Sequence, residues 1–265
     1  MIRAMKNSIH LAYIKIGFLK FQIYKEAVII QFFSNVIFII AQYFLWSSIY
    51  GTNNINNYPF AQLYFYIILG QLLSNIYPTN MSEQMGRLIG SGDIGMSLLK
   101  PISIIKQLLF ENIGISIFKF FILSLPIGIL TLILSSIKIE SVMFLKFTIL
   151  FFFAYIFYFL FEMIIGTLSF YTTSQWGIQS LKYAIITLFS GRFLPLSLYP
   201  NWAKQILDIL PFKLMYNTPI ETLLIGNVQE IQFIILTNMG KVLVTYFIFQ
   251  LLYNNAIKKL VIQGG

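Results

Sequence analysis

The sequence contains no cysteine and a single histidine, His10. Disulfides, thiolate metal sites and thiol catalysis are therefore excluded. One imidazole is too few for a histidine metal cluster, and a Ser–His–Asp triad is not expected. Charged residues make up only 10% of the chain, against about 25% in soluble domains. We expect this chain to hold no metal ion and to catalyse no reaction itself.

What the sequence has in excess is apolar surface. Hydrophobic residues make up 58% of the 265 positions and occur in runs long enough to cross a bilayer. This composition predicts an all-α polytopic membrane protein, with residues 1–265 forming a single transmembrane domain. The strongly basic balance is then explained by lysines and arginines that flank membrane helices, and we expect no nucleic-acid partner.

Polar breaks divide the apolar runs into six predicted transmembrane helices. They cover about residues 27–50, 59–79, 110–135, 142–170, 178–191 and 230–253. Pro126 and Gly128 predict a kink in the third. The aromatic run 151–159 in the fourth is interpreted as facing lipid, with a hydrophobic substrate path as the alternative.

Two further segments are not predicted to cross the membrane. Residues 1–25 alternate basic and apolar side chains, which predicts an amphipathic interfacial helix; a solvated basic arm is the alternative. Residues 192–229 are cut by prolines into pieces of about ten residues or fewer, too short to cross a bilayer. Within them Asn201 is expected to cap a short amphipathic helix. We expect this segment to be re-entrant or interfacial.

The distribution of positive charge predicts the orientation. With six spans, eleven lysines and arginines fall on the side of the termini and four on the other. The eleven are Arg3, Lys6, Lys15, Lys20, Lys25, Arg87, Lys100, Lys106, Lys182, Lys258 and Lys259. Positively charged loops stay in the cytoplasm, so both termini are predicted to be cytoplasmic.

The polar loop 80–107 contains a nucleotide-like glycine pattern at residues 90–95. No strand precedes it and no βαβ unit surrounds it, so we discount dinucleotide binding. The glycines are instead expected to form a turn between two short cytoplasmic helices. Asp93 would cap the second, Ile94–Leu99, and Pro101 would end it. A Walker A motif is absent from the sequence, so any ATP must be bound by another polypeptide.

Charged residues also fall inside the predicted spans. Lys119 lies in the third and Glu162 in the fourth, and such groups are costly in a bilayer. Because these spans are consecutive and antiparallel, the sequence allows Lys119 and Glu162 to pair, and a structural ion pair or snorkelling lysines are favoured over a functional role. A single convincing intramembrane acid argues against proton coupling.

Several short motifs, in order, resemble the type-2 permeases of ATP-binding-cassette exporters. The resemblance is greatest to the bacterial six-span subunits encoded beside a separate ATPase. The matching stretches are Gly92-Asp93-Ile94, Leu98-Leu99-Lys100-Pro101, Phe170-Tyr171, Ser190-Gly191-Arg192-Phe193-Leu194-Pro195-Leu196, Tyr199-Pro200-Asn201-Trp202, Leu210-Pro211-Phe212 and Gly264-Gly265. They extend over nearly the whole chain.

The resemblance implies a permease that dimerises with itself or with a related permease. Two cytoplasmic ATPase subunits, carrying ATP and Mg, would dock on a coupling helix in the 80–107 loop and on the N-terminal helix. Residues 192–229 would form an extracellular re-entrant helical pair, whose marker residues are Arg192, Pro195, Pro200, Trp202 and Pro211. Transport of a drug, peptide, lipid or lipid-linked molecule would be outward, across a bacterial plasma membrane.

The predicted coupling site is the end of the 80–107 loop. Leu98 and Leu99 are expected to be apolar anchors in a cleft of the ATPase, and Lys100 and Arg87 to steer towards acidic groups. Motion would then pass into spans two and three. Two other functions remain as alternatives: a secondary transporter or channel working alone and, less favoured, a membrane-embedded enzyme.

Overall fold

The structure, a computed structural model, describes residues 2–52, 59–134, 139–172, 174–224 and 231–258. Over these ranges the chain is helical and contains no strand, which confirms the predicted all-α fold. The helices within them are α1 (Ile2–Ile23), α2 (Lys25–Thr52), α3 (Phe60–Ile76), α4 (Met81–Gly90), α5 (Ile94–Leu98), α6 (Ile104–Lys119), α7 (Leu125–Leu134), α8 (Ser141–Leu168), α9 (Gln175–Phe189), α10 (Asn201–Ile209), α11 (Asn217–Leu224) and α12 (Ile231–Ile257).

Four of the described helices are long and apolar enough to cross a membrane. They are α2, the continuous α6–α7 rod, α8 and α12. The bilayer core requires about 20 residues of helix. The helices α3, with 17 residues, and α9, with 15, fall short of this length, so the predicted second and fifth spans remain predictions.

The third predicted span begins at Ile104, six residues before the predicted start at 110. Lys106 suggested a loop, but Ile104, Gln107 and Leu108 are buried while Lys106 is exposed. One charged residue on the outer face of a helix does not interrupt it. The polar connection is correspondingly shorter than 80–107.

The predicted irregularity of this span takes the form of a π-helical turn. Phe120–Ser124 joins α6 to α7 immediately before Pro126. Proline has no N–H to donate to the carbonyl of Ile122, so the regular α-helical pattern fails here. The hydroxyl of Ser124 donates to the carbonyl oxygen of Leu72 at 3.0 Å and fixes the turn against α3.

Helix α8 forms the centre of the bundle and contributes to both large hydrophobic clusters. One cluster joins it to α3 and to the segment around Tyr216, and the other to α4, α5, α6 and α12. In the aromatic run 151–159, Phe152 is exposed but Phe157, Tyr158 and Phe159 are buried. The expectation that this run faces lipid is wrong for those three residues, because α8 is surrounded by other helices there.

Residues 192–224 contain only short helices, as the prolines predicted. Two 3₁₀ turns, Leu196–Leu198 and Pro211–Leu214, alternate with α10 and α11. The predicted Asn201 cap is wrong. Pro200 occupies the cap position and Asn201 is the first helical residue, with no side-chain capping bond.

Helix α1 packs along α6, with contacts from Gln107 to Lys119. The two backbones approach closely at Gly17 and Gly114: a Cβ on Gly17 would lie 1.9 Å from the carbonyl oxygen of Glu111. Lys20 and Glu111 form an ion pair at 2.7 Å, and the rings of His10 and Phe110 stack at 4.3 Å. The amino-terminal helix is thus fixed along α6.

Candidate functional site

The short helix α5 has one buried side and one exposed apolar side. Ile94 is buried in the cluster formed by α4, α6, α8 and α12. Met96 and Leu99 point outward and are 71% and 87% exposed, and Leu98, one turn after Ile94, is 38% exposed. The predicted anchors Leu98 and Leu99 therefore lie on the surface, and Met96, which the sequence analysis missed, lies beside them. Its spacing of three residues from Leu99 was the available signal.

A glycine turn sets the direction of α5. Gly92 has φ of +78°, a left-handed conformation that favours glycine. The hydroxyl of Ser91 donates to Oδ2 of Asp93 at 2.7 Å. Asp93 stands at the cap position but makes no side-chain capping bond, so the predicted cap is wrong. Its backbone is already helical, whereas a capping residue usually has an extended backbone.

Gln107 holds the end of α5 in place. Its Nε2 donates to the carbonyl oxygens of Ser97 at 3.0 Å and Ile102 at 2.8 Å, and its Oε1 accepts a hydrogen bond from the Tyr13 hydroxyl at 3.2 Å. Burial, and then the charge of Glu111, raise the pKa of Tyr13, so this phenol remains a donor. Sequence reasoning missed Gln107, although a glutamine on the buried side of α6 was a signal.

Exposed residues follow this apolar tip along the chain. Lys100 and Pro101 come directly after Leu99 and are exposed, and Lys106 is exposed on α6. Arg87 is also exposed on α4, where it forms an ion pair with Glu83 one turn earlier. The surface of α5, Met96, Leu98 and Leu99 with Lys100, is called the α5 tip below.

The buried carboxylate of Glu162 pairs with Lys182 of α9. Both side chains are 0% exposed, and Lys182 Nζ lies 2.9 Å from Glu162 Oε1. The expected Lys119–Glu162 pair is therefore wrong: the Lys119 ammonium lies over the Phe21 ring of α1, 4.8 Å from its centroid. Glu162 faces α4 and α9, away from α1. Lys182, assigned from sequence to the cytoplasmic loops, is a buried helix residue.

Ser82, near the start of α4, joins this pair. Its backbone N–H donates to Glu162 Oε2 at 2.9 Å. Lys182 Nζ donates to the Ser82 hydroxyl at 3.1 Å and to the carbonyl oxygen of Thr79 at 2.9 Å. We call Ser82, Glu162 and Lys182 the charged junction. It connects α4, α8 and α9 at one buried point.

The segment that follows α9 is held by Asn217. Asn217 Oδ1 accepts hydrogen bonds from the Leu196 N–H at 2.9 Å and the Tyr66 hydroxyl at 3.1 Å, and Nδ2 donates to Glu221 at 2.8 Å. We call Asn217 with these partners the Asn217 hub. Burial raises the pKa of Glu221, and the bond from Asn217 opposes that rise. Nothing in the sequence distinguished Asn217 from other asparagines.

The marker residues of this segment occupy different environments. Arg192 lies over the Phe193 ring, and its carbonyl oxygen would be 2.5 Å from a Cβ on Gly70 of α3. Pro195 is buried in the turn after α9. Pro200 and the 70% exposed Trp202 begin α10, and Pro211 begins the second 3₁₀ turn. The structure brings these residues together in one folded segment, remote in sequence from the α5 tip.

A comparison with protein families agrees with the resemblance seen in the motifs. Residues 36–264 match the family described as "ABC-2 family transporter protein". No curated protein matches the chain. The match includes α3 to α12, and with them the α5 tip, the charged junction and the Asn217 hub. The chain belongs to the ABC-2 transporter family and is a membrane permease of an ATP-binding-cassette transporter.

Proposed function

We propose that this chain is the transmembrane subunit of an ATP-driven exporter. It moves a drug, peptide, lipid or lipid-linked molecule outward, and separate ABC ATPase subunits supply the energy. The observation that carries the proposal is the α5 tip. It presents Met96, Leu98 and Leu99 to the surface while Ile94 anchors the same helix in the core.

An apolar tip on a firmly held helix suits the transfer of force. Leu98 and Leu99 would enter a cleft of the ATPase, where buried apolar anchors carry most of the binding energy. Lys100, next to Leu99, and the exposed Arg87 of α4 would steer the partner, because exposed charge mainly influences the rate and orientation of encounter. Gln107 and the Gly92 turn prevent α5 from yielding when the ATPase moves.

The family supports an association with ABC ATPases, and the remaining features of the assembly are part of our proposal. Two ATPase subunits bind ATP and Mg, and this chain binds neither and catalyses no reaction. A second permease, identical or related, completes the pathway. Both termini and the α5 tip lie in the cytoplasm, as the eleven basic residues favour, and the membrane is a bacterial plasma membrane.

Six spans belong to the same proposal, with α3 and α9 as the second and fifth. The segment 192–229 then lies on the extracellular side as a re-entrant pair. Its described part has the short helices, the fold against α3 and the close backbone approach at Gly70 that support such a position. Backbone of this kind is tolerated at membrane depth only where other protein covers it.

Co-purification tests the proposal. The full chain, tagged and extracted from its native membrane, is expected to carry a stoichiometric ATPase. Leu98→Asp combined with Leu99→Asp should reduce the recovered ATPase by about 30-fold or more, the effect of losing one strong anchor. Ile209→Asp is the matched control, because Ile209 is 83% exposed but lies on α10.

The outcomes separate the alternatives. Recovery of the chain without any ATPase, together with transport that needs no ATP, would support a channel or secondary transporter and contradict the exporter. Full recovery of ATPase with the Leu98 and Leu99 variant would show that the partner docks elsewhere. Equal loss in the Ile209 control would show that the effect is not specific to α5.

A further inference from the structure

We propose that the charged junction transmits the movement of the α4–α5 loop to the α8–α9 pair of helices. This inference rests on the proposed function, because it requires an ATPase that moves α5. Along the chain, the loop connects only α3 to α6. The junction opens a second route, to helices that are about 80 and 100 residues further along the sequence.

The hydrogen bonds of the junction are directional. The Ser82 N–H is a donor and meets the carboxylate of Glu162, whereas the carbonyl oxygen of Thr79 is an acceptor and meets the ammonium of Lys182. The Ser82 hydroxyl accepts from Lys182 and donates to Oε1 of Gln179 at 3.2 Å. The start of α4 is thus complementary to both charges. If the two charges were exchanged, the Ser82 N–H would face an ammonium and the carbonyl oxygen of Thr79 would face a carboxylate.

Close packing reinforces these bonds on both sides of α4. A Cβ on Gly166 of α8 would lie 3.1 Å from Sδ of Met85, and a Cβ on Gly86 of α4 would lie 2.2 Å from Oε1 of Gln175 of α9. Helix α4 therefore packs closely between α8 and α9, with Met85 against Gly166 and Gln175 against Gly86. A displacement of α4 must move its two neighbours or create voids.

The charges explain why separation is unfavourable. Moving α4 away from α8 and α9 would leave Glu162 and Lys182 paired with each other but would remove the hydrogen bonds that Ser82 and Thr79 make to them. Both charged side chains are fully buried, and a buried ion that loses hydrogen-bond partners is costly. A buried pair is weak as a source of stability but resists being pulled apart. Glu162 and Lys182 are therefore positioning residues that keep α4, α8 and α9 moving as one unit.

The route continues beyond α9. This helix ends at Ser190, whose carbonyl oxygen accepts the N–H of Asn217 at 3.1 Å. Movement of α9 is thus passed to the Asn217 hub and to the short helices after it. The junction connects the ATPase side of the protein to the segment 190–224 through a single helix of 15 residues.

A thiol reporter tests this route. The chain has no cysteine, so Leu188→Cys, exposed near the far end of α9, gives a single reactive group. In the complex with the co-purified ATPase, we measure the rate of maleimide modification without nucleotide and with ATP plus vanadate. With an intact junction, we expect the two rates to differ by about fivefold or more, the size of a typical coupling.

The variant Glu162→Gln with Lys182→Met removes both charges and leaves no unpaired ion. We expect this variant to retain the ATPase but to lose the nucleotide response, which is the difference in modification rate between the two conditions. The control is Asn35→Leu with Gln71→Leu, which removes a partly buried hydrogen bond of 2.8 Å between α2 and α3 and should retain the response. The exchange variant Glu162→Lys with Lys182→Glu should not restore the response, because Ser82 and Thr79 then face the wrong charges.

Other outcomes would overturn the inference. A full nucleotide response in the uncharged variant, no response with the intact junction, or a response restored by the exchange variant would each contradict it. Loss of ATPase from the complex with the intact junction would instead count against the proposed function. Should the uncharged variant fail to fold, Glu162→Gln with Lys182→Gln also removes both charges but keeps polar side chains at both positions, and an undiminished response in that variant would also contradict the route.

Discussion

The charged junction and the Asn217 hub solve the same structural problem with different chemistry. Each holds a short helical segment, too short to span the membrane, against helices that are distant in the sequence. The junction uses a fully buried ion pair, whereas the hub uses one carboxamide that bonds to a hydroxyl, a backbone N–H and a carboxylate. The ion pair makes the junction costly to open, whereas the hub depends on the sum of weaker single hydrogen bonds.

The difference in chemistry indicates which of the two connections resists separation when one helix moves. An ion pair that loses one member leaves a buried charge, and the penalty falls on the whole fold. A neutral hub that loses one bond leaves an unsatisfied donor or acceptor, with a smaller and more local penalty. We expect the α4 side to behave as a rigid connection and the segment 190–224 to be the more adaptable of the two.

The largest effect is expected when one charge of the junction is removed alone. Glu162→Gln leaves the Lys182 ammonium buried without its counter-ion and should lower the free energy of unfolding by about 3–5 kcal/mol. The measurement is urea unfolding of the purified chain in mixed detergent micelles. The uncharged variant with Lys182→Met should recover most of that loss, and equal stabilities of the single and double variants would contradict the comparison.

Removal of the Asn217 carboxamide should cost less. Asn217→Ala leaves the Leu196 N–H without its acceptor and deletes the bonds to Tyr66 and Glu221, for a total of about 2–3 kcal/mol. Glu221→Gln is the matched control, because Asn217 keeps both acceptor contacts and the amide oxygen of Gln can still accept from its Nδ2. If Asn217→Ala destabilised the chain as strongly as Glu162→Gln, the two connections would not differ as proposed.

A backbone change at the hub sharpens the comparison. Gly191 has φ of +78°, and a Cβ there would lie 2.8 Å from the Tyr66 hydroxyl and from Cβ of Asn217. Gly191→Ala should therefore cost about 2 kcal/mol, from the left-handed conformation and the displaced hub. Gly92→Ala is the control: it has the same φ but open space around it, so its cost should be smaller. Equal costs would show that the contacts at Gly191 contribute nothing.

The elements of this fold were predictable from sequence because each depends on local patterns. Long apolar runs predicted the four helices that can span a membrane, and the prolines of 192–229 predicted a broken segment. The predicted ends of helices were less accurate where a charged residue, such as Lys106, lay on the outer face of a helix. The surface position of Leu98 and Leu99 also agrees with their placement after a glycine turn.

The partners of buried polar groups could not be predicted in the same way. Lys119 and Glu162 belong to consecutive predicted spans, and that order suggested a pair. In the folded chain Lys119 turns to α1 and Glu162 to α9, because helix rotation, which the order of spans does not specify, decides what each side chain faces. Asn217 and Gln107 were missed for the same reason: their partners come from several distant elements.

The smallest effect is expected at the exposed ion pair of α4. Arg87 and Glu83 are one helical turn apart and both reach solvent, so Arg87→Ala should change the free energy of unfolding by only about 0.3–0.5 kcal/mol. The same unfolding assay, in low and in 0.5 M salt, gives the measurement. Salt should weaken the exposed pair but leave the effect of Glu162→Gln nearly unchanged, because screening acts on charges that water reaches. A cost of Arg87→Ala that approached that of Glu162→Gln would mean that charge pairing on α4, rather than burial at its start, decides how firmly this helix is held.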